Sequence, residues 1–220
     1  MRSAVVNGAM SAGRATSVSF KNLLGIWQYL VDTPTRMQGV KPVSVSQDRS
    51  HEAGHGKVIC FTDADHAGDI RDGKSTSGIM IWVSARGQVF PVLHASKKQG
   101  VVSLSSGESE VTALTQGVAW ACGVRTIWAD ILEGLGHEVV SELSVGCDSS
   151  CAVKLARRKG ASQRTRHLTV KAFYLQALTR MPWCALGHVR GTHMWADVLT
   201  KVGRVWSTRH LECLGIVHAP

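Results

Sequence analysis

Four acidic residues stand where a carboxylate needs a reason. Asp63 ends the apolar run 57–62, and Glu110 lies at the head of the apolar run 111–114. Asp148 follows Val145-Gly146-Cys147, and Asp197 sits inside Trp195-Ala196-Asp197-Val198-Leu199. The chain has only 16 Asp and Glu against 25 Lys and Arg, so acids in such settings are conspicuous. Four carboxylates from separate elements would repel one another unless cations neutralise them. Hard divalent ions such as Mg²⁺ take oxygen ligands and are usually shared with substrate phosphates. The chemistry implied is phosphodiester chemistry on a nucleic acid.

The elements that must position these acids can be read from the apolar pattern. The run 57–62 reads as a buried strand and 77–84 as a second. A turn at 85–88 leads to a third strand over 89–95, in which Pro91 predicts a bulge or an edge position. Ser105-Ser106-Gly107-Glu108 has the form of a capping box. It opens a long helix whose expected buried stripe is Val111, Leu114, Val118, Ala121, Trp128, Ile131 and Leu135, closed by Gly134 or Gly136. A fourth strand over 143–147 ends at Asp148, with a helix directly after it. A helix over 169–180, a strand over 183–189 and a short helix over 195–201 complete the order βββαβαβα. Such an order predicts an α/β fold with a five-stranded mixed sheet flanked by helices. Ligands in open sheets gather at strand ends, where Asp63 and Asp148 both lie.

Towards the N-terminus, residues 1–17 are expected to be disordered. Residues 18–56 are expected to hold an amphipathic helix, with Leu23, Trp27 and Leu30 or Val31 on one face, followed by a polar linker. The domain proper is expected over 57–201, with a tail over 202–220.

Net charge is +9 with a pI near 9.6, which predicts attraction to a polyanion. No acidic residue occurs between Asp148 and Asp197, an interval that carries Lys154, Arg157, Arg158, Lys159, Arg164, Arg166 and Lys171, with Arg180 and Arg190 beyond. An acid-free basic tract between two candidate metal ligands reads as a phosphate-backbone track. The six cysteines form no CxxC pair and no zinc-ligand spacing, so buried free thiols and a reducing compartment are expected. No stretch is long or apolar enough to span a membrane.

The run Thr62-Asp63-Ala64-Asp65-His66-Ala67-Gly68-Asp69 with Lys74-Ser75-Thr76-Ser77-Gly78 resembles the start of the ribonuclease H domain of copia-type retrotransposon Pol polyproteins. Ser96-Lys97-Lys98-Gln99, the block Leu104 to Glu110, Cys147-Asp148, Arg164-Thr165-Arg166-His167-Leu168 and Ala196-Asp197-Val198-Leu199-Thr200-Lys201 are similar to further blocks of that family, in order. Weaker similarity over 20–40 resembles the segment joining reverse transcriptase to ribonuclease H.

The resemblance implies a ribonuclease H-like fold and a two-metal-ion endonuclease cutting the RNA strand of RNA–DNA hybrids. Its implied ligand set for two Mg²⁺ ions, with Mn²⁺ as a substitute, is Asp63, Glu110, Asp148 and Asp197. By the family pattern Glu110 is chosen over Glu108, which becomes a capping residue, and Asp63 over Asp65. Lys154, Arg157, Arg158, Lys159, Arg164, Arg166 and Lys171 would grip phosphates. A reverse transcriptase region of the same polyprotein is the implied protein partner, and the cytoplasm, in virus-like particles, or the nucleus the implied location. His66, His94, Ser149-Ser150 and Thr169 depart from the family's usual residues. A catalytically inactive nucleic-acid-binding module of the same fold, and an integrase-like nuclease cutting duplex DNA, are the competing readings.

Overall fold

The computed structural model describes residues 36–38, 43–44, 55–85, 88–136, 140–160, 162–201 and 216–218. The expected N-terminal disorder, the helix over 20–31 and most of the tail lie outside the described residues.

Three long strands form an antiparallel meander: β1 (His55–Asp69), β2 (Lys74–Ala85) and β3 (Gln88–Lys98). Helix α1 (Ser106–Gly134) follows, then β4 (Val140–Cys147), α2 (Ser150–Arg157), a 3₁₀ segment Gln163–Leu168, α3 (Thr169–Leu178) and β5 (Cys184–His188). The strands lie in the order β3-β2-β1-β4-β5, with β1–β4 and β4–β5 parallel. This five-stranded mixed sheet is the one expected. A two-residue strand, Val43–Ser44, adds a sixth member on the outer edge of β3, inside the region expected to be linker. A separate two-stranded pairing joins Arg36–Gln38 to Ile216–His218.

The bulge predicted at Pro91 is present. Trp82 pairs with Pro91 and Ile81 with Leu93, so Val92 is the extra residue. Proline has no amide hydrogen to offer the ladder, and a bulge accommodates that loss.

One face of the sheet carries the main core. Val58, Cys60, Ile79, Ile81, Leu143 and Val145 meet Val111, Leu114 and Val118 of α1 and Leu155 and Leu175 of α2 and α3. The opposite face is covered by a 3₁₀ turn, Trp195–Leu199, which packs Val198 and Leu199 on Met80 and Trp82 with Phe61 alongside. The segment expected as a final helix is therefore a tighter 3₁₀ turn. It forms the lid of a second, smaller core.

The buried stripe of α1 differs from the expected one near its end. Val111, Leu114, Val118 and Ala121 are buried, but Ile131 and Leu135 are exposed and Leu132 is buried in their place. At about 100° per residue, Leu132 returns to within roughly 20° of Ala121, while Ile131 falls well to the side. Gly136, with φ of +77°, closes the helix and donates to the Glu133 carbonyl.

Candidate metal centre

The two cores meet at the carboxyl end of β1, and the acids gather there. Side chains alternate across a strand. Cys60 and Thr62 face α1, whereas Phe61 lies on the side of the 3₁₀ lid. Asp63 follows Phe61 on that side, and the hydroxyl of Thr200, just past the lid, donates to its Oδ2. Asp63 is almost fully buried. Burial pushes its carboxyl above the ordinary value and the charge of Asp148 adds to this, while the Thr200 hydrogen bond opposes both.

Glu110 reaches the same point from α1. Ser105 caps the helix by accepting from the Glu108 amide at 3.2 Å, and Glu108 turns back to accept from the Leu104 amide at 2.7 Å. Glu108 is thus occupied by the cap, as expected, and its Oε2 also lies 3.5 Å from His167. Glu110 lies at the start of the second turn. Its Oε2 is buried and has no hydrogen-bond partner. Burial, then the charges of Asp63 and Asp148, push its carboxyl up to about 8. Both observations describe a carboxyl whose ionisation its surroundings oppose.

Asp148 follows the last residue of β4, where parallel pairing sets Cys147 beside Thr62. Ser149, not Asp148, caps α2, by accepting from the Ala152 amide. The Asp148 carboxylate is therefore not used as a helix cap. Its carbonyl lies 2.9 Å from His188 Nε2 at the end of β5. One ligand atom each of Glu110, Cys147 and Asp148 lie within 4.8 Å of one another, a spacing that could hold a metal ion.

Asp197, buried in the lid, is tied to this group less directly. The Thr200 hydroxyl that donates to Asp63 lies 3.1 Å from the Asp197 carbonyl. The Lys201 ammonium pairs with the Asp197 carboxylate. The positive charge of Lys201 also reaches Asp63, Asp65 and Glu110. The structure thus sets Glu110, Cys147 and Asp148 within one ligand-sized group, places the charge of Asp63 near Glu110 and Asp148 but outside that group, and links Asp197 to Asp63 through Thr200 and Lys201. Asp65 is half-buried beside Gly68 and stands outside the Glu110–Cys147–Asp148 group.

The basic tract divides. Lys154, Lys159 and Arg166 are exposed. Arg157 donates to the Leu186 carbonyl, Arg158 to Thr165 at 2.8 Å, and Lys171 to Thr112 at 2.8 Å. Arg164 lies in the 3₁₀ segment before α3. His193 is exposed in a 3₁₀ turn beginning at Gly191, which approaches the Asp148 carboxylate.

Three residues at the centre did not enter the expected ligand set: Cys147, Thr200 and Lys201. Each adjoins an acid in sequence or follows it within one helical turn, which is the signal that points to them.

A mixed sheet of order β3-β2-β1-β4-β5, with a long helix between β3 and β4 and acids at the ends of β1 and β4, defines a ribonuclease H-like domain. Among solved structures, the chain is similar to the N-terminal ribonuclease H domain of rv2228c from Mycobacterium tuberculosis, with a TM-score of 0.42 and 20% identity over 66% of this chain and 90% of that one. No family model matches the chain.

In sequence, the chain is 32% identical over 144 residues to the retrovirus-related Pol polyprotein from transposon TNT 1-94 of Nicotiana tabacum, which covers 64% of this chain. It is 26% identical over 164 residues to that from transposon RE2 of Arabidopsis thaliana, covering 73% of it. A secreted RxLR effector protein, 161, of Plasmopara viticola is 36% identical over 103 residues, 46% of this chain and 67% of that protein. In sequence the chain resembles the ribonuclease H-like segment of copia-type transposon Pol polyproteins. It spans about 10% of the length of the two Pol polyproteins.

Proposed function

We propose that the domain is a metal-dependent endonuclease that hydrolyses the RNA strand of RNA–DNA hybrids, working beside a reverse transcriptase region of the same polyprotein. The observation that carries this reading is the buried, unpartnered Oε2 of Glu110 beside Asp63 and Asp148. Ionising a buried carboxyl with an unpartnered oxygen is costly, and a divalent cation would offset that cost. The donors fit such an ion: oxygen from Asp63, Glu110, Asp148 and Asp197 would hold two Mg²⁺, or Mn²⁺ in their place. Ions bound there would polarise the scissile phosphate and lower the pKa of an attacking water.

The chain's own residues supply the positioning. Asp63 lies where the two cores meet, so it suits the shared ligand. Thr200 fixes one of its oxygens, and the charge of Asp148 lies close to it. The cap formed by Ser105 and Glu108 sets where α1 begins and hence where Glu110 points. Lys201 balances Asp197 and is half exposed, so it can withdraw when a stronger cation arrives. Lys154, Lys159 and Arg166 are free to take phosphates. Selection for RNA would rest on contacts to 2′-hydroxyls.

The test is cleavage of a hybrid labelled on each strand in turn, with Mg²⁺ and with chelator, for the natural chain and for Asp63→Asn and Asp148→Asn. Mg²⁺-dependent loss of the RNA strand alone, abolished in both variants, is expected. Hybrid binding without metal-dependent cutting would leave an inactive binding module, and cutting of duplex DNA would favour the integrase-like reading.

A further inference from the structure

Oxygen ligands alone do not describe this centre, because a thiol stands among them. Cys147 is fully buried at the end of β4, and its Sγ belongs with Glu110 and Asp148 to the one group of ligand atoms within 4.8 Å found among the described residues. It forms no disulfide. A hydroxyl or methyl at that position would leave the site entirely hard. Sulfur changes the preference, because thiolates favour Zn²⁺ and softer ions over Mg²⁺.

The geometry suits such an ion. Zn²⁺ accepts sulfur at about 2.3 Å and carboxylate oxygen at about 2.0–2.2 Å in a tetrahedral arrangement. The three ligand atoms lie within 4.8 Å of one another, a spacing compatible with one shared ion. Two further observations point to a ligand at this position. The Glu110 Oε2 atom is buried and has no hydrogen-bond partner, and the fully buried Thr62 hydroxyl lies beside the Cys147 thiol in the β1–β4 pairing. A fourth position would be left to water or phosphate, as in open zinc sites.

We propose that Glu110, Cys147 and Asp148 form a thiophilic cation site overlapping the Mg²⁺ centre, at which Zn²⁺ or Cd²⁺ displaces the hard ion and silences the domain. Binding forms a metal–sulfur bond and releases the thiol proton to solvent, with no change in oxidation state. The inhibitory consequence rests on the nuclease reading, whereas the site itself does not.

The test uses the full chain, reduced and stripped of metal, titrated with Cd²⁺ while the ultraviolet sulfur-to-metal charge-transfer band is recorded. One equivalent should develop the band in the natural chain. The band should be lost in Cys147→Ser, retained in Cys151→Ser, whose thiol is exposed, and shifted to higher Cd²⁺ in Glu110→Gln. Circular dichroism of each variant confirms that it is folded, and a Cys147→Ala variant replaces the Ser variant if the latter does not fold. No band, or a band that survives loss of Cys147 and disappears with Cys122→Ser, Cys184→Ser or Cys151→Ser, overturns the proposal. Because the readout is optical, a domain that never cuts RNA can still pass, and an active nuclease can still fail.

Discussion

Thr200 and Asp63 are 137 residues apart in the chain, yet the threonine hydroxyl donates to the aspartate carboxylate at the junction of the two cores. Thr200 lies just past the lid that carries Asp197, and Asp63 ends β1's apolar run. The bond therefore fixes one acid-bearing element against another. Thr200→Val preserves shape and removes the donor from a buried carboxylate. Leaving such a group unsatisfied costs about 1–3 kcal/mol. Chemical denaturation in chelator should show a loss of that size, largely recovered in Thr200→Ser. An unchanged midpoint in Thr200→Val would remove the bond from the account.

The centre should also set how metal-free stability depends on pH. Glu110 is raised from its ordinary 4.5 to about 8, so across that interval the folded state keeps a proton that the unfolded chain has released. Its contribution is fully present below 4.5 and is lost as pH rises through about 8. Asp63 is shifted in the same direction. Asp69, held below the usual carboxylate range by Arg71 and Lys98, acts the opposite way and only in acid. Denaturant midpoints measured in chelator should therefore fall between pH 4.5 and 8, and the slope should flatten in Glu110→Gln. A slope untouched by that substitution contradicts the assignment.

Gly78 controls how closely the lid approaches. It is paired with Asp63 across β1 and β2, and a Cβ there would lie 2.7 Å from the Ala196 carbonyl. The obstacle is backbone and cannot swing aside. Gly78→Ala should therefore lift Asp197 away from Asp63, at a cost of about 1–3 kcal/mol for overpacking. Metal affinity measured by calorimetry should fall as well. Gly123→Ala, where a Cβ meets nothing within 4 Å, is the matched control.

The division of the basic tract predicts two kinds of variant. Replacing Lys154, Lys159 and Arg166 with alanine should weaken hybrid binding and reduce its salt dependence, by roughly 0.7–0.9 in log–log slope for each phosphate no longer neutralised. Replacing Arg158 or Lys171 should chiefly lower stability, because each already serves a protein partner. Equal salt slopes for the triple variant and the natural chain would exclude these cations from the interface.

Much of this arrangement is legible in the sequence, for physical reasons that also mark where legibility ends. The run before Asp63 and the one before Asp148 read as strands because they are short, apolar and closed by acids. The capping box declares the start of α1. Local pattern carries less information at the far end of that helix, where the 3.6-residue period transfers burial from Ile131 to Leu132. The strand Val43–Ser44 has no pattern of its own and exists because β3 offers it an edge. Charge counting found the basic tract but could not distinguish Lys159, which is exposed, from Lys171, which bonds to Thr112 on α1. The role of Thr200 depends on two surfaces meeting, and no spacing rule reports that.

The most direct measurement is a crystal of the domain grown with Mn²⁺ and examined by anomalous scattering. Two peaks about 4 Å apart, each within bonding distance of oxygens from Asp63, Glu110, Asp148 or Asp197, are the predicted result. Ordered crystals at saturating Mn²⁺ with no peak among these four carboxylates, or with peaks only elsewhere on the surface, would contradict the account.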